Sequence, residues 1–436
     1  MRTTRLRCPP SVFVRREHHH KTLSSVAYFC YIFKVPKAVD DQQLDDLLHR
    51  GVEEIIDPQS LARKARASRK LRIKFGIDPT GHFVHLGHAV PLRKLRAWQD
   101  LGHQVVLIIG DFTARIGDPT GRDEQRTTLS AKLVNEYSRS YLEQISVILD
   151  TKRLEVRYNS EWYEKLTPER LLQLIQPHTL QQLLAHETFR RRLDTNQPIS
   201  LIELLYPILQ GYDSVMVEAD VEIGGLDQKF NLLTGRSIQT QFNQPPQDIM
   251  LTPYLTGLDG KKKMSKTLGN FIAITDPPKE MFGKVMSIPD KLIISYFELV
   301  TTIPVEEVAA IKKELRAKKK NPRDSKAKLA AAIVELYHGK VAAEQAGGEF
   351  TRTFRHKETP KDIPSVAVKP GEHQLLSLLI NHQLAGSRSE ARRLIEQGGV
   401  RVDKVVVTDW QTTITIKQPT VIQVGKRQFL RLVPGS

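Results

Sequence analysis

Apolar and polar positions in the first third of the chain predict a strand, a helix and a second strand. Apolar residues alternate with basic ones over Leu71–Phe75, as expected for a strand. A helical spacing follows and places Leu92, Leu95 and Trp98 on one face, and the apolar run Val105–Ile109 then indicates a buried strand. Together these elements form a βαβ unit, in which the two strands run parallel.

Two loops follow the strands of this unit, and they are where a ligand is expected. Open α/β sheets bind ligands beyond the carboxyl ends of their parallel strands. The matching segments are Gly76–His88, which contains the turn Asp78-Pro79-Thr80-Gly81, and Gly110–Asp118. The chemistry of the chain is therefore expected in these two segments.

The rest of the chain is mainly helical until its last part. Helical spacing extends over 130–240, where a break is expected before Tyr206-Pro207. It returns after Pro277-Pro278 and continues to about residue 352. A charged segment with three prolines then leads to two short helices and to alternating strands such as Val400–Val402.

The composition is that of a globular protein with a strong basic excess. The 436 residues include 65 Lys and Arg against 49 Asp and Glu, which gives a net charge of +16. Hydrophobic content of 40% and charged content of 26% exclude a collagen-like, a wholly disordered or a multi-span membrane chain. The two cysteines, Cys8 and Cys30, lie near the start, which excludes a disulfide framework or a cysteine-based zinc site in the main body. The charge indicates a polyanionic partner, with nucleic acid as the first candidate.

The first 37 residues differ from the remainder. Eight basic residues face a single acid, Glu17, and the segment contains Pro9-Pro10 and His18-His19-His20. Its apolar run Val26–Phe33 is too short to span a bilayer, and the long polar lead-in argues against a secretory signal. We expect a disordered or spuriously added extension, with an organelle-targeting peptide as the alternative.

Three histidines form the first candidate site, in the segment His82-Phe83-Val84-His85-Leu86-Gly87-His88. A zinc site with Asp78 as an oxygen ligand is one interpretation, but no second ligand pair stands at a metal-binding spacing elsewhere. A nucleotide site fits the position better, because backbone N–H groups and the dipole at a helix start attract phosphate. Gly87 would let a nucleotide ring approach the backbone. Solvent-facing histidines are the remaining alternative.

The second candidate site is the basic loop Lys261–Thr267. It lies between Asp259-Gly260 and Gly269-Asn270, which are hinge-like residues. A lysine run is usually a solvated loop. A mobile loop that brings ammonium groups to a polyphosphate would instead stabilise charge that develops in a transition state. Neither a Walker A nor a GxGxxG pattern occurs, so P-loop and dinucleotide sites lose support.

Together the two segments resemble the HIGH and KMSKS signatures of class I aminoacyl-tRNA synthetases. They stand here as His85-Leu86-Gly87-His88 and Lys263-Met264-Ser265-Lys266-Thr267. The resemblance implies a Rossmann-like catalytic domain and ATP as a substrate. The residues that it implies as catalytic are Thr80, His85, His88, Lys263 and Lys266. The residues that it implies for ATP binding are His85, Gly87, His88, Asp227, Lys263 and Lys266.

A third stretch resembles the substrate pocket of tyrosyl-tRNA synthetases. Tyr206, Gln210 and Asp213 stand at i, i+4 and i+7, so one helix face presents all three. In that family the matching tyrosine and glutamine bind the substrate amino group, and the aspartate accepts the phenol O–H. Phenylalanine lacks this O–H and would leave the buried aspartate without its partner. In this same enzyme family, such a site disfavours phenylalanine relative to tyrosine by roughly 10⁴ or more. Core packing is the alternative for this helix, although buried polar groups without partners are costly.

The same resemblance extends to two neighbouring segments. It places Thr113 and Asp118 beside the substrate, Asp227 at the ribose of ATP and Gln228 at the carboxylate of tyrosine. The full set implied for tyrosine binding is Gly76, Asp78, Thr113, Asp118, Tyr206, Gln210, Asp213 and Gln228.

Two positions depart from the family pattern. Many members carry a tyrosine where this chain has Lys74, and that tyrosine also contacts the phenol. Two interpretations of Lys74 stay open: its charge favours the Asp213 carboxylate, or its side chain points elsewhere. Thr267 replaces the usual final serine of the second signature and keeps the hydroxyl group.

The C-terminal region resembles the S4 RNA-binding module over Ser387–Lys404, with Arg388, Arg392 and Arg393 as the implied tRNA-binding residues. A charged helix face on an accessory domain is the alternative. Upstream, the basic stretch Lys312–Lys328 is similar to the anticodon-side domain of the family, although by composition alone such a stretch is more often a solvated face.

The resemblance covers about residues 40–436 and implies a tyrosine–tRNA ligase. Its substrates would be tyrosine, Mg-ATP and the tRNA for tyrosine, with no metal site and no tightly bound cofactor. It also implies a homodimer in the cytoplasm without membrane contact, or in an organelle if the extension is a transit peptide. A tryptophanyl enzyme and a non-catalytic RNA-binding protein are the competing hypotheses.

The expected fold class is α/β with three domains: a Rossmann-like parallel-sheet domain, an all-helical domain and a small α+β S4 domain. The expected boundaries are a basic extension at 1–37, the catalytic domain at 38–280, the helical domain at 281–352, a linker at 353–370 and the S4 domain at 371–436.

Overall fold

A computed structural model describes residues 39–67, 69–120, 129–355, 363–425 and 428–435. The chain divides into two compact units, of which the first ends at Ala346 and the second begins at Gly347. The expectations for residues 1–37 lie outside the described residues. Within the described ranges, no helix is long and apolar enough to cross a membrane.

The first unit is built on a six-stranded sheet in the order β1-β6-β5-β2-β3-β4. The strands are β1 (Glu54–Ile56), β2 (Arg72–Ile77), β3 (Gln104–Ile109), β4 (Leu154–Tyr158), β5 (Val221–Gly225) and β6 (Asp248–Thr252). Strand β1 runs antiparallel to β6, and all the other pairs are parallel. The parallel pairing of β2 and β3 confirms the predicted βαβ unit. Because the strand order reverses between β2 and β5, a ligand-binding crevice is expected at their carboxyl ends.

Helices surround this sheet and continue beyond it. The helices of the sheet region are α1 (Asp41–His49), α2 (Pro58–Arg66), α3 (Leu86–Asp100), α4 (Thr113–Ile116), α5 (Ala131–Ile145), α6 (Ser160–Tyr163), α7 (Pro168–Ile175), α8 (Leu180–Leu184), α9 (Glu187–Asp194), α10 (Leu201–Met216) and α11 (Lys229–Gln241). In α3 the predicted apolar face is fully buried, which anchors the start of this helix at the edge of the sheet.

Residues 278–355 contain helices and no strand. The helices are α12 (Pro278–Met286), α13 (Ile293–Val300), α14 (Val305–Arg316), α15 (Pro322–His338) and α16 (Lys340–Arg355). Tyr296 of α13 is buried, and its hydroxyl donates to the backbone oxygen of Thr256 at 2.6 Å. This contact ties α13 to the segment that leads into the lysine-rich loop.

The helix that carries Tyr206 is continuous, so the predicted break before Tyr206-Pro207 is wrong. Helix α10 contains Pro207 in its interior, and it begins with a capping box formed by Ser200 and Glu203. A proline removes one helical hydrogen bond, but burial of most of the α10 side chains compensates for that loss. Tyr206, Gln210 and Asp213 therefore lie on one helix.

The alternation predicted for β2 is also wrong at one position. Lys74 is fully buried, whereas Phe75 is only half-buried. Strand β2 lies in the middle of a parallel sheet whose two faces are both covered, and such strands do not alternate between core and solvent. The sheet therefore contains a buried lysine.

The second unit combines a five-stranded sheet, a strand pair and two helices. Its elements are β7 (Ser365–Val368), β8 (Gly371–Gln374), α17 (Leu375–Asn381), α18 (Arg388–Glu396), β9 (Val400–Val402), β10 (Val405–Val407), β11 (Thr413–Ile416), β12 (Thr420–Val424) and β13 (Gln428–Pro434). Strand β7 lies in the segment assigned to the linker, but it pairs with β13 as an edge strand, where flanking prolines are tolerated. The parallel sheet, the helices and this β-rich unit confirm the predicted fold class.

Candidate active site

Three loops converge at the carboxyl ends of neighbouring parallel strands. Asp78 follows β2, Gly110 follows β3, and the short 3₁₀ turn Leu226–Gln228 follows β5. The first two loops are joined directly, because the backbone N–H of Gly110 donates to the oxygen of Ile77 at 2.9 Å. The structure thus brings the two segments predicted from the sequence to one edge of the sheet.

Asp78 connects these loops to helix α10. Its Oδ2 accepts a hydrogen bond from the hydroxyl of Tyr206 at 3.0 Å, and its Oδ1 accepts one from the hydroxyl of Thr113 at 2.8 Å. Gly110 is required for this approach, since a Cβ atom there would lie only 2.0 Å from Oδ1 of Asp78. Asp78, Thr113 and Tyr206 are therefore neighbours in one hydrogen-bonded group.

Asp213 lies at the far end of the same group and is almost fully buried. Its Oδ1 accepts hydrogen bonds from Nε1 of Trp162 at 3.0 Å and from the hydroxyl of Tyr163 at 2.9 Å. Nδ2 of Asn159 donates to Thr113 Oγ1 at 3.0 Å and reaches Asp213 Oδ2 at 3.4 Å. Oδ2 is thus the less occupied of the two carboxylate oxygens.

Sequence reasoning missed Asn159, Trp162 and Tyr163. All three follow directly on β4, a strand that pairs in parallel with β3. The signal that could have found them is this position, because the carboxyl end of a parallel strand is where ligands bind. It was not visible because 130–240 was interpreted as mainly helical.

Burial sets the protonation states in this pocket. It raises the pKa of Asp213 to about 6, although the charge of Lys74 and the three hydrogen bonds oppose the rise. Burial and the neighbouring carboxylate of Asp78 raise the pKa of Tyr206 well above its usual range, so this side chain remains a hydrogen-bond donor. Among the described residues, no donor reaches the buried Oε1 of Gln210.

The remaining predicted pocket residues line the same edge. Oδ2 of Asp118 accepts a hydrogen bond from Nε2 of Gln228 at 2.7 Å. Asp227, one residue earlier, forms an ion pair with Nζ of Lys263 at 2.8 Å. Gly76 is exposed near the end of β2, with open space where a Cβ atom would stand, and Thr80 is exposed on the turn that follows.

His85 and His88 stack on each other at the start of α3. Their ring centroids lie 3.7 Å apart, and the backbone N–H of His85 donates to Nδ1 of His88 at 3.3 Å. Burial lowers the pKa of His85 to about 3 and that of His88 well below its usual range, and the lysines of the second signature add to both shifts. Both imidazoles are therefore neutral, and His88 carries its proton on Nε2.

The zinc interpretation involves His82 as well. His82 is exposed, and its ring lies edge-on against Tyr137 with centroids 4.4 Å apart. In the part of the chain that the structure describes, no group of three or more His, Cys, Asp or Glu residues is arranged to hold a metal ion.

The two signature segments lie against each other. The backbone N–H of Leu86 donates to Ile272 and that of Ile274 donates to Val84, each at 3.0 Å. A Cβ atom at Gly81 would lie 3.3 Å from Nζ of Lys266, and one at Gly87 would lie 3.5 Å from Cβ of Met264. The lysine-rich loop therefore covers the turn that joins Asp78 to the histidine segment.

Asn270 fixes the shape of the lysine-rich loop. Its Nδ2 donates to Oδ2 of Asp259 at 2.9 Å and to the backbone oxygen of Lys263 at 3.2 Å, and its Oδ1 accepts from the N–H of Ser265 at 2.8 Å. Asn270, which the sequence suggested as a hinge-like residue, thus has a buried side chain that joins Asp259 to the middle of the loop.

The three arginines predicted for tRNA binding lie on α18 in the second unit. Arg388, Arg392 and Arg393 are exposed, while Ala391 and Ile395 on the same helix are buried. Arg392 forms an ion pair with Glu396 at 2.8 Å and lies over the ring of Trp410. The helix thus presents a basic face to solvent.

Two family models match this chain. One is described as tRNA synthetases class I (W and Y) and matches residues 66–355, and the other is described as the tyrosine–tRNA ligase SYY-like C-terminal domain and matches residues 356–432. Among solved structures, the C-terminally truncated mitochondrial tyrosyl-tRNA synthetase of Aspergillus nidulans superposes with a TM-score of 0.59 at 21% identity, over 72% of this chain and 94% of that one. The Archaeoglobus fulgidus tyrosyl-tRNA synthetase with L-tyrosine gives 0.56 at 21% identity, over 70% and 99%. These likenesses show a shared fold.

Curated relatives extend the match to most of the chain. The tyrosine–tRNA ligase of Moorella thermoacetica is 46% identical over 93% of this chain and 98% of its own length. That of Thermotoga maritima is also 46% identical, over 89% of this chain and 97% of its own length. Both relatives are named for tyrosine, which supports neither the tryptophanyl nor the non-catalytic hypothesis. The chain therefore belongs to the tyrosine–tRNA ligases, the class I aminoacyl-tRNA synthetases that use ATP to join tyrosine to tRNA.

Proposed function

We propose that the cleft beyond β2, β3 and β5 binds tyrosine and ATP side by side and performs both steps of the ligase reaction. In the first step, a carboxylate oxygen of tyrosine attacks the α-phosphate of ATP and pyrophosphate leaves. In the second step, a terminal ribose hydroxyl of the tRNA attacks the carbonyl of tyrosyl-adenylate and AMP leaves. No side chain needs to act as a nucleophile, so positioning and electrostatic stabilisation account for catalysis.

Tyrosine binds along the face of α10. Its ammonium group meets the unpartnered Oε1 of Gln210 and the oxygen of Tyr206, whose own proton is already donated to Asp78. Its phenol O–H is accepted by Oδ2 of Asp213, the carboxylate oxygen with room for a further donor. Gly76, Thr113 and Asp118 flank the substrate, and Gln228 reaches its carboxylate.

ATP binds against the two signatures, with Gly87 next to the nucleotide. Neutral imidazoles donate from His85 and His88 to the phosphates, and the ammonium groups of Lys263 and Lys266 neutralise charge that grows in the transition state. Lys263 forms an ion pair with Asp227 in this structure. ATP would separate the two, because its ribose binds Asp227 and its phosphates bind Lys263. Thr80 belongs to the catalytic set, since it directly precedes Gly81, the residue of the turn that lies next to Nζ of Lys266.

Magnesium enters as part of the substrate. A divalent cation on the phosphates is carried mainly by the nucleotide, which fits a cleft where lysines supply the positive charge toward the phosphates. We therefore propose Mg-ATP as the reactive complex and assign no resident metal site to the protein.

The exposed arginines of α18 are proposed to bind tRNA phosphates, because guanidinium groups pair well with phosphate oxygens.

We also retain the proposed domain boundaries, which are 38–280 for the catalytic domain, 281–352 for the helical domain and 371–436 for the S4 domain. Strand β7, which precedes residue 371, is assigned to the S4 domain because it pairs with β13.

A homodimer is proposed from the apolar surface of four successive helices, α7 to α10. Five large apolar side chains there are between 52% and 81% exposed: Leu172, Leu180, Leu193, Leu201 and Ile202. Large exposed apolar side chains often mark a protein interface. Sedimentation equilibrium would show a dimer, and a Leu193→Asp/Leu201→Asp variant would sediment as a monomer; a monomeric native protein contradicts the proposal.

The proposed location is the cytoplasm, with an organelle as the alternative if residues 1–37 act as a transit peptide. N-terminal sequencing of the native protein separates the two, because an imported protein lacks the basic extension.

The observation that carries the proposed function is the contact of Lys266 with the turn between Asp78 and the histidine segment. Replacing Lys266 by alanine should slow tyrosine-dependent pyrophosphate exchange by about 100-fold, since it removes a charge used in the transition state. Tyrosine affinity, measured by equilibrium dialysis, should barely change. Lys261→Ala, at an exposed position in the same loop, is the control and should exchange normally. A large loss of tyrosine affinity in Lys266→Ala would contradict this assignment.

A further inference from the structure

Lys74 is completely buried in β2, and its ammonium group has three acceptors. Nζ lies 2.9 Å from the backbone oxygen of Gln210, 2.7 Å from Oγ of Ser214 and 2.8 Å from Oε1 of Glu222. An ammonium group has three protons to donate, so all three are used. Lys74 therefore has no donor left for a substrate and must act through its neighbours.

Glu222 balances the charge of Lys74. It lies on β5 and is 1% exposed, and its Oε2 accepts hydrogen bonds from Ser214 Oγ at 3.3 Å and from Nε2 of Gln247. Gln247 is held in turn through its backbone N–H, which donates to Oε1 of Gln239 at 2.7 Å. A buried ion is tolerated only when it is paired and hydrogen-bonded, and both members of this ion pair meet that condition.

Two of the Lys74 contacts bracket Asp213 on helix α10. Gln210 lies three residues before Asp213, and Ser214 directly follows it. The Lys74 ammonium is thus fixed against the helical turn that presents the phenol-binding carboxylate. Asp213 also faces the hydrogen-bond donors of Asn159, Trp162 and Tyr163, and it interacts electrostatically with Tyr206 on its own helix.

A carboxylate in this environment needs a nearby positive charge to stay ionised. Burial opposes ionisation of Asp213, and the charge of Lys74 is the strongest of the influences that favour it. Both oxygens can act as acceptors only in the ionised carboxylate, because a protonated Asp213 would direct its own O–H at the substrate phenol. Bound phenylalanine would leave this buried acceptor unpaired. The resulting loss of binding free energy, which rejects phenylalanine, is largest when the acceptor is charged.

We propose that Lys74, with Glu222 as its counter-ion, is a positioning residue that keeps Asp213 ionised and aimed at the substrate, and so determines the selectivity for tyrosine over phenylalanine. This inference rests on the proposed contact between Asp213 and the phenol. It answers the question that the sequence left open, because the Lys74 side chain points to the pocket helix and not elsewhere.

The measurement is the ratio of kcat/KM for tyrosine to kcat/KM for phenylalanine in pyrophosphate exchange, followed from about pH 5 to about pH 8.5. The reactions of tyrosine and phenylalanine depend on the same titrating groups of the enzyme, except that only tyrosine makes the phenol contact. The pH dependence of the ratio therefore reports on Asp213. Because protonation abolishes the acceptor, the ratio in the native enzyme should fall as the pH drops through the pKa of Asp213, which is raised to about 6.

Lys74→Met removes the charge at similar volume. The pH at which the ratio falls should then rise by at least about one unit, so the ratio at pH 7 should fall by about twofold or more and recover at alkaline pH. Because Lys74→Met leaves Glu222 unpaired and destabilises the fold, Lys74→Met/Glu222→Gln is the second variant. It is expected to regain thermal stability and yet to keep the displaced acid limb.

Lys94→Met is the matched control, because Lys94 is also buried but bonds to the backbone oxygens of Asp46 and Leu47 instead. It should lower Tm while leaving the ratio and its acid limb unchanged. The inference is overturned if Lys74→Met loses activity equally at every pH, or if the double variant regains the native acid limb.

Asp213→Ala, which removes the acceptor, separates this inference from the proposed function. If Asp213→Ala leaves the selectivity for tyrosine intact, the proposed phenol contact itself is wrong. If Asp213→Ala abolishes the selectivity while Lys74→Met leaves the acid limb in place, the phenol contact stands and the inference about Lys74 fails.

Discussion

The side chain of Asn270 offers a test of whether the closed lysine-rich loop is the form that reacts. It makes three hydrogen bonds within the loop, to Asp259, to the backbone of Lys263 and from the backbone of Ser265. Asn270→Ala removes all three and leaves the Ser265 N–H without its partner. Each bond should contribute about 1 kcal/mol, so the substitution should destabilise the ordered loop by about 3 kcal/mol.

If the ordered loop is needed to place Lys263 and Lys266, this loss appears in the rate of adenylate formation. A loss of about 3 kcal/mol corresponds to roughly a 100-fold decrease in kcat for pyrophosphate exchange. The tyrosine site proposed along α10 makes no use of the loop, so the dissociation constant of tyrosine from equilibrium dialysis should change by less than about twofold.

Asn321→Ala is the control for this experiment. Asn321 is an exposed asparagine whose side chain caps α15 by accepting from the N–H of Arg323 at 3.0 Å. Its loss should lower stability by about 1 kcal/mol and leave exchange unchanged. Native exchange rates in a folded Asn270→Ala protein would refute the view that the closed loop is the reactive form.

Two further predictions concern the pocket and the second unit. Tyr206→Phe removes the donor to Asp78, and the KM for tyrosine in exchange should rise about tenfold, because hydrogen bonds to charged groups are strong. An unchanged KM would place the substrate amino group elsewhere. Removal of residues 365–436, which takes β7 away with the rest of its sheet, should weaken tRNA charging at least about tenfold while sparing pyrophosphate exchange, since the arginines of α18 are proposed to bind only the RNA. Equal loss of both activities would instead indicate a structural role for this unit.

The sequence predicts well the features that depend on local pattern. The alternation over Leu71–Phe75 and the apolar run Val105–Ile109 correctly placed β2 and β3, and the helical spacing of Tyr206, Gln210 and Asp213 placed them on one helix. Each of these inferences needs only the periodicity of the chain.

Features that depend on tertiary packing were not predictable in this way. The burial of Lys74 follows from the central position of β2, and its counter-ion Glu222 comes from a strand almost 150 residues later. Asn159 and Trp162 join the pocket because β4 pairs with β3, a pairing that no local pattern encodes. Pro207 misled the local interpretation because packing of α10 outweighs the lost hydrogen bond.

A crystal structure with a non-hydrolysable analogue of tyrosyl-adenylate tests the central claim most directly. The account predicts the phenol oxygen within hydrogen-bond distance of Asp213 Oδ2, the amino group at Gln210 and Tyr206, and the phosphate mimic beside His85, His88 and Lys266. An analogue bound with its phenol away from Asp213, or with its phosphate mimic out of reach of both signatures, would contradict it.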